Sequence, residues 1–594
     1  MKNKKAIEAE QLSKQESDIL YELNREAFVN QRILAEKTGH SLGMINKCIN
    51  SLVAKEFLDD NTGLTPKALD LFKDNMPKNA VILAAGFGMR MVPINMTTPK
   101  ALLEVYGEPL IERIIKQLHE IGVKDITVVV GFMKESFEYL IDDYGVDLVV
   151  NPDYASKNSL SSLALVTDRL GGTYIIPSDI WCDRNPFHAY ELYSWYMVSD
   201  LVDNDSDVRV NRKNELVKVG KNEGGNAMVG ITYLSNSDAP ALAQRIRAMA
   251  SDSRYDEDFW ECALYKADKM IIPAKVVASS KFFEINTYEQ LRDLDDESDH
   301  LKSDAIDVIA DVFKTSTDTI EDICVLKKGM TNRSFLFSVN DDRYIMRIPG
   351  EGTDQLINRA EEAVVFKTIS GKGLCDDPVY INPANGYKIT KYLDGIRCCD
   401  PEDEEDLKKC MKRLKSFHEM HLSVPHTFDV FEKIDFYETL WNNRPSMYKD
   451  YQQTKANVFN LRSFIDGIKK DWCLTHIDAV PDNFLFYETD EGEAIQLTDW
   501  EYAGMQDPHV DIAMFCIYSL YNKEQIDRLI DIYFEGKVDR LTRAKIYAYI
   551  AMCGLLWSNW CEFKSHLGVE FGEYSLRQYR YAKEFYRYCQ ELCS

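Results

Sequence analysis

The 594-residue chain has no apolar run long enough to span a bilayer. The nearest approach, Ile546 to Trp557, falls well short of the roughly 18 residues such a span needs. No Cys-x-x-Cys pair occurs among the 14 scattered cysteines, of which only Cys398 and Cys399 are adjacent. This excludes a zinc ribbon or a disulfide framework and points to reduced cytosolic thiols. The first residues, Met-Lys-Asn-Lys-Lys-Ala-Ile-Glu, lack an apolar core, so no secretory signal is expected and a cytoplasmic location is. Positive charge is also scarce. Seventy Lys and Arg face 96 Asp and Glu, a net charge of −26, which disfavours general nucleic-acid binding. Internal repeats and low-complexity tracts are missing too. What is present is ordinary globular composition, 45% hydrophobic and 28% charged, in a chain long enough for about four domains.

Three segments differ in pattern. In residues 1–76, Ile19, Leu20 and Leu23 recur at helical spacing, and a short helix from Asn30 stops at Gly39. Ser41 can cap a further helix expected to bury Met44, Ile45, Cys48, Ile49, Leu52 and Val53. Residues 57–65 fit a wing hairpin, and 66–72 a closing helix. This order resembles winged helix-turn-helix domains. Twelve basic residues offset twelve acidic ones up to Lys78, and the recognition helix offers little beyond Lys47 and Lys55. A structural or regulatory appendage is therefore favoured over DNA binding.

Residues 77–300 alternate strand and helix from the buried stretch Asn79 to Ala84, implying a mostly parallel, Rossmann-like α/β sheet with ligands beyond its carboxyl ends. Residues 294–311 are polar and acidic, a linker or bridging helix. The last segment, 301–594, opens with strands near 323–325, 334–339 and 344–348 and then turns helical, the outline of a bilobal kinase-like α+β fold.

In the middle segment, Ala84-Ala85-Gly86-Phe87-Gly88-Met89-Arg90 follows the first strand, with Thr98-Pro99-Lys100 beyond. Gly86 and Gly88 let backbone N–H groups approach phosphates, and Arg90 and Lys100 can neutralise them. The string lacks the third glycine of a dinucleotide fingerprint and the Gly-Lys-Ser/Thr of a Walker loop. It resembles the signature of nucleotidyltransferases, including sugar-phosphate nucleotidyltransferases and bacterial CTP:phosphocholine cytidylyltransferases. The resemblance implies in-line transfer from CTP with Mg²⁺ and release of pyrophosphate, Ala84, Ala85, Gly86 and Gly88 binding nucleotide. It makes Asp179 a metal ligand. The family's second Asp falls on Asn286 in Phe283-Glu284-Ile285-Asn286, so either Glu284 contributes or the metal is held with less protein charge. Phe187, Tyr190, Tyr193 and Trp195, or Phe259-Trp260-Glu261, are aromatic groups that a quaternary ammonium would favour. The loop at Asn151-Pro152-Asp153-Tyr154, with Asn158 and Ser159, resembles the phosphocholine-specific branch.

The last segment contains His476-Ile477-Asp478-Ala479-Val480-Pro481-Asp482-Asn483, then Asp499-Trp500-Glu501-Tyr502-Ala503-Gly504. One Asp can take a hydroxyl proton, the Asn five residues on can reach Mg²⁺, and the later Asp can hold metal at the phosphates; His476 is a brace. The set resembles choline and ethanolamine kinases, within the aminoglycoside phosphotransferase-like group. The resemblance implies Asp478 as base, Asn483 and Asp499 as metal ligands, and an ATP loop at 328–334 that includes Thr331 and Asn332. Arg347, paired with Glu362, stands where related folds carry the phosphate-pairing Lys. Trp557 and Trp560 share one helix face and can flank a trimethylammonium head, closed by Tyr574 or Tyr579, with Glu501 nearby.

Together these readings predict a bifunctional enzyme that phosphorylates choline with ATP and converts phosphocholine and CTP to CDP-choline, without a membrane partner. The alternatives are ethanolamine or a sugar phosphate as substrate, or a DNA-binding regulator that uses the enzyme folds as sensors.

Overall fold

The computed structural model describes residues 12–594 except 87, 89–90, 92, 95–97, 204–205, 207, 212, 221–222, 327–331, 351–355, 376, 443, 490–491 and 567–570, together with the side chains of 332 and 333. Arg90, Thr331 and the Asn332 side chain, all expected at nucleotide sites, lie outside this description. The chain forms two compact units, 1–307 and 308–594.

The first unit opens with helices Lys14–Arg25, Gln31–Thr38, Leu42–Ala54 and Pro66–Asp74. Each starts on a side-chain cap (Ser13, Asn30, Ser41, Thr65) that takes up an orphan helix N–H. Gly39, at φ 69°, ends the second in the left-handed conformation that glycine adopts without strain. The Leu58–Leu64 bridge forms the wing. Ile19, Leu20, Ile45, Ile49, Leu52 and Phe72 make the core. Met44, expected inside, is instead exposed, because it lies about 100° around the helix from its neighbour Ile45, on the solvent face.

The rest of this unit is built on a ten-stranded sheet among the described residues. Asp147–Val150, Asp125–Val130, Asn79–Ala84 and Thr173–Pro177 run parallel. Gly225–Leu234 then pairs antiparallel, followed by Trp195–Asp203 and Lys269–Val277. The central Asn79–Ala84 strand is apolar on both faces because both are covered, one by the Ile111, Ile114, Ile115 and Leu118 helix face and the other by Leu160, Leu163 and Leu242. Its carboxyl end and that of Thr173–Pro177 open together, which places Ala84, Ala85, Gly86 and Gly88 around the same cavity as Asp179.

The second unit begins with an antiparallel sheet containing Glu321–Val325, Asn332–Val339, Asp342–Pro349 and Lys388–Lys391, against which helix Arg359–Ile369 supplies Glu362. The helical part centres on Arg540–His566, buried on nearly every side from Ala544 to Lys564. It packs against Glu573–Cys593, His509–Tyr518 and Val430–Thr439. No described helix in the chain is long and apolar enough to cross a membrane.

Candidate functional site

The first unit holds a cavity of about 1010 Å³ lined by Ala84, Ala85, Gly86, Gly88, Lys100, Asp179 and Glu284, all read from the sequence as site residues. Gly88 has φ +63°, and a Cβ there would press on the Lys100 stem at 3.3 Å, so this turn needs glycine twice over. Gly131, at the end of the neighbouring strand, is a residue the motifs did not reveal. A Cβ on it would lie 2.7 Å from the Ala85 carbonyl and 2.6 Å from Tyr154.

The Lys100 ammonium bridges Asp179 Oδ2 at 2.5 Å and Asn286 Oδ1 at 2.6 Å. Asp179 and the unexpected Asn286 thus aim oxygen atoms at one point, and a cation occupies it. That donor set, one carboxylate and one amide oxygen, suits a hard cation completed by substrate phosphates. Glu284 lies on the adjoining strand Phe282–Glu284 and lines the same cavity.

At the far side stand Tyr196, Tyr255, Phe259, Trp260, Glu261 and Tyr265. Tyr196 Oη donates to Glu261 Oε1 at 3.1 Å, while Oε2 is buried with no partner among the described residues. Burial, and then the charges of Asp179 and Glu284, push Glu261 up to about 7. A carboxylate oxygen buried without a donor among aromatic rings can accept a cation there. Of the two aromatic groups noted in the sequence, the structure brings only Phe259-Trp260-Glu261 to the cavity. Phe187 and Trp195 are buried in the core, and Tyr190 and Tyr193 pack against the N-terminal helices. Glu261→Gln is expected to raise the KM of a cationic acceptor about tenfold, the loss of one charge-assisted contact. In the wild type that KM should fall as pH rises through 7, because only the ionised carboxylate attracts the cation; in the variant the slope should vanish.

In the second unit, Asp478 follows strand Cys473–Thr475, and Asp499 follows Gly492–Leu497. Asn483 Nδ2 donates to the Asp478 backbone oxygen at 2.8 Å and to Oδ2 at 3.2 Å, leaving its amide oxygen for a metal. Burial first, then the Asp499 and Glu501 carboxylates, push Asp478 up to about 8. Ile477 (φ 70°) and Asp499 (φ 65°) are both in the left-handed region, which costs about 1–3 kcal/mol each for non-glycine residues. The strain at Ile477 is held by buried Asp511, which accepts from the Ile477 N–H at 2.7 Å and the His476 N–H at 3.0 Å. His476 is fully buried, which pushes it down to about 4, and its Nε2 bonds the Thr498 carbonyl at 2.9 Å, tying the two loops together.

Arg347 clasps Glu362 through both terminal nitrogens, one at 2.9 Å, and Arg359 joins Glu362 at 3.0 Å to Glu501 at 3.2 Å. Burial opposes ionisation of Glu362, yet Lys388, Arg347 and Arg359 together hold it down at about 2.

Above Asp478 the aromatic rings close in. Trp557 and Trp560 meet edge to face at 5.6 Å; Tyr502 lies 5.7 Å and Tyr437 6.5 Å from Trp557, and Phe571 5.4 Å from Trp560. Burial pushes up the phenols of Tyr437, Tyr502, Tyr518 and Tyr574, and the Asp478 charge adds to each.

Among protein-family models, the choline/ethanolamine kinase model matches residues 323–534, a MobA-like NTP transferase domain 80–182, and a winged helix-turn-helix DNA-binding model 12–59. Over 192 residues the chain is 38% identical to a 2-aminoethylphosphonate cytidylyltransferase of Lancefieldella rimae, covering 31% of this chain and 77% of that one. It is 29% identical over 231 residues to the choline-phosphate cytidylyltransferase of Streptococcus pneumoniae, 36% of this chain and 96% of the relative. Its C-terminal part is 26% identical over 262 residues to Protein LicA of Haemophilus influenzae, 42% of this chain and 76% of the relative. The chain belongs to the nucleotidyltransferase family, and its C-terminal half carries a domain matching the choline/ethanolamine kinase model.

Of the two tyrosines left open by the sequence, the structure favours one. Tyr579 does not close the aromatic box: its ring stacks on Tyr448 at 3.8 Å, and its hydroxyl bonds Asp450 and Thr454, both at 2.9 Å. Tyr574 is the tyrosine on the box side, through Phe571 and Tyr518. Glu501 is drawn into the Arg359–Glu362 network, while its charge still acts on Tyr437 and Tyr502 of the box. Tyr437, Tyr502 and Asp511 were missed. A Tyr directly after Asp499-Trp500-Glu501 and the run Phe571-Gly572-Glu573-Tyr574 were the available signals; Tyr437 and Asp511 come from other helices.

Proposed function

We propose that the chain makes CDP-choline in two steps: the kinase half phosphorylates choline with ATP, and the transferase half joins the phosphocholine to a cytidylyl group from CTP. One observation carries this reading. Each half sets a partly buried carboxylate against a cluster of aromatic rings, Asp478 near Tyr437, Tyr502 and the Trp557–Trp560 pair in one and Glu261 beside Trp260 in the other. Two consecutive enzymes acting on the same onium group would need that duplication.

In the kinase half, Asp478 accepts the choline hydroxyl proton as the oxygen attacks the γ-phosphorus, and the rings seat the onium head so that the hydroxyl faces Asp478. Asn483 and Asp499 would hold Mg²⁺, which neutralises charge on the transferred phosphoryl group. Arg347, oriented by Glu362, pairs with the nucleotide phosphates. In the transferase half the phosphocholine oxygen attacks the CTP α-phosphorus, and pyrophosphate leaves. Asp179 and Asn286 would hold the metal there, while Lys100, released from them, together with Arg90 would neutralise the departing charge.

Glu261 Oε2 also favours a second reading of the acceptor. A primary ammonium, as in phosphoethanolamine or a 2-aminoalkylphosphonate, can donate a hydrogen bond to that oxygen, and the Lancefieldella rimae relative is named for such a phosphonate. Kinase kinetics with both amino alcohols test the main reading. Trp557→Ala should raise the choline KM about 10- to 30-fold, the scale of a desolvated cation–π contact, and the ethanolamine KM far less. Equal losses on both substrates would refute an onium box.

A further inference from the structure

No described residue of the winged helix lines the transferase cavity, and its surface is poorly suited to DNA. Leu42, Met44, Asn46, Lys47 and Asn50 are exposed on the recognition helix, with a single basic residue among them. Phosphate binding needs a local surplus of basic groups. Its opposite asset is a set of polar groups buried against the transferase fold.

Side chains from both sides make that contact. Tyr21 Oη donates to Glu191 Oε2 at 3.2 Å and accepts from the Leu192 N–H. Tyr193 Oη donates to Asp18 at 2.7 Å, and Asn24 donates to Tyr190 Oη at 2.5 Å. Phe72 packs on Tyr190 with ring centroids 4.9 Å apart, and the Glu191 N–H bonds the Asn75 carbonyl at 2.9 Å. Glu191 itself is 3% exposed. Besides Tyr21 it is bonded to Tyr174 Oη and Trp195 Nε1, both at 2.9 Å, and to His188 Nδ1 at 2.8 Å. A buried carboxylate that loses one of several donors is costly, so this joint is specific and not a loose apposition.

The gripped residues lie at a sensitive place. Residues 183–194 connect strand Ile180–Cys182, which directly follows Asp179, to strand Trp195–Asp203. On that second strand Trp195 reaches Glu191, while the next residue, Tyr196, bonds Glu261 in the cavity. Side chains alternate across a strand, so a shift of Trp195 on one face moves Tyr196 on the other.

We propose that the winged helix is an intramolecular docking module that grips residues 190–195 and thereby positions the acceptor pocket of the cytidylyltransferase. Tyr21, Asp18 and Tyr193 are positioning residues; none touches substrate. The inference rests on the acceptor reading given above.

The test uses the full chain with Tyr21→Phe, Tyr193→Phe and the two combined. The acceptor KM for cytidylyl transfer is expected to rise about tenfold in the double variant, the effect of a sub-ångström displacement of a binding group. The KM for CTP and both kinase KM values should stay within twofold of wild type. Hydrogen exchange should show faster amide exchange across 190–196. Unchanged acceptor KM in a variant whose 190–196 amides have been released would overturn the proposal. So would duplex DNA binding that is lost in Lys47→Ala, with the docking variants kinetically normal. Wild-type transfer is read in the same assay, so failure of the acceptor reading (an inactive wild type) is told apart from failure of the brace (fully active variants).

Discussion

Asp478→Asn should lower choline phosphorylation by about 10³-fold, within the range for loss of a general base, and leave cytidylyl transfer to added phosphocholine unchanged. Among the described residues, the Asp478 carboxylate is the one whose charge reaches Tyr437, Tyr502, Tyr518 and Tyr574 alike. His476 is excluded from the role of base because burial keeps it neutral and its Nε2 is committed to the Thr498 carbonyl. Asn483 donates to Asp478, so asparagine at 478 can keep the loop in place while losing the basic oxygen. The strained Ile477 turn is held independently by Asp511, so the variant should fold. Its signature is a fall in kcat with the choline KM nearly unchanged, since Trp557, Trp560 and Tyr574 still seat the head group. The assay is coupled ADP release against direct CDP-choline formation on one preparation. A comparable loss of both activities would mean misfolding; retention of more than a tenth of kinase activity would remove Asp478 from its role.

The mirror-image result is expected for Asp179→Asn. Cytidylyl transfer should fall by about 10³-fold, since this is one of few fixed charges at the α-phosphate, and choline phosphorylation should persist. The loss should exceed that of an ordinary metal-ligand change because Asn286 is already neutral, so the substitution leaves neither oxygen that converges on Lys100 with a negative charge. Mn²⁺ binding in the presence of CTP should weaken in parallel, read without any turnover. A variant with normal Mn²⁺ affinity and normal transfer would show that Glu284 holds the metal in its place.

Much of this was legible because the chemistry is local in sequence. Residues 84–88 and 476–483 each lie on one loop whose spacing alone sets the geometry, and strand-helix alternation from Asn79 announces the sheet. Where reach across the fold decides, the pattern failed. Tyr574 and Tyr579 are five residues apart on one helix, roughly 140° around its axis, so only one can face the box; composition does not say which. Glu501 was assigned by its nearness to Asp499, and its bond from Arg359, 142 residues earlier in the chain, went unread. The aromatics at 190–195 suited a cation cage by type, and the winged helix turned them into a docking joint instead. Glu191 and Asp511 carried no signal, since an isolated acid gives no hint that several donors will converge on it.

The central claim is that one chain carries choline through both steps. Purified protein incubated with isotopically labelled choline, ATP, CTP and Mg²⁺ should yield labelled phosphocholine that passes into CDP-choline with stoichiometric ADP and pyrophosphate. Omitting CTP should stop the label at phosphocholine, and omitting ATP should leave it in choline. Phosphocholine that accumulates with no CDP-choline while CTP is present would contradict the claim, as would labelled choline left untouched.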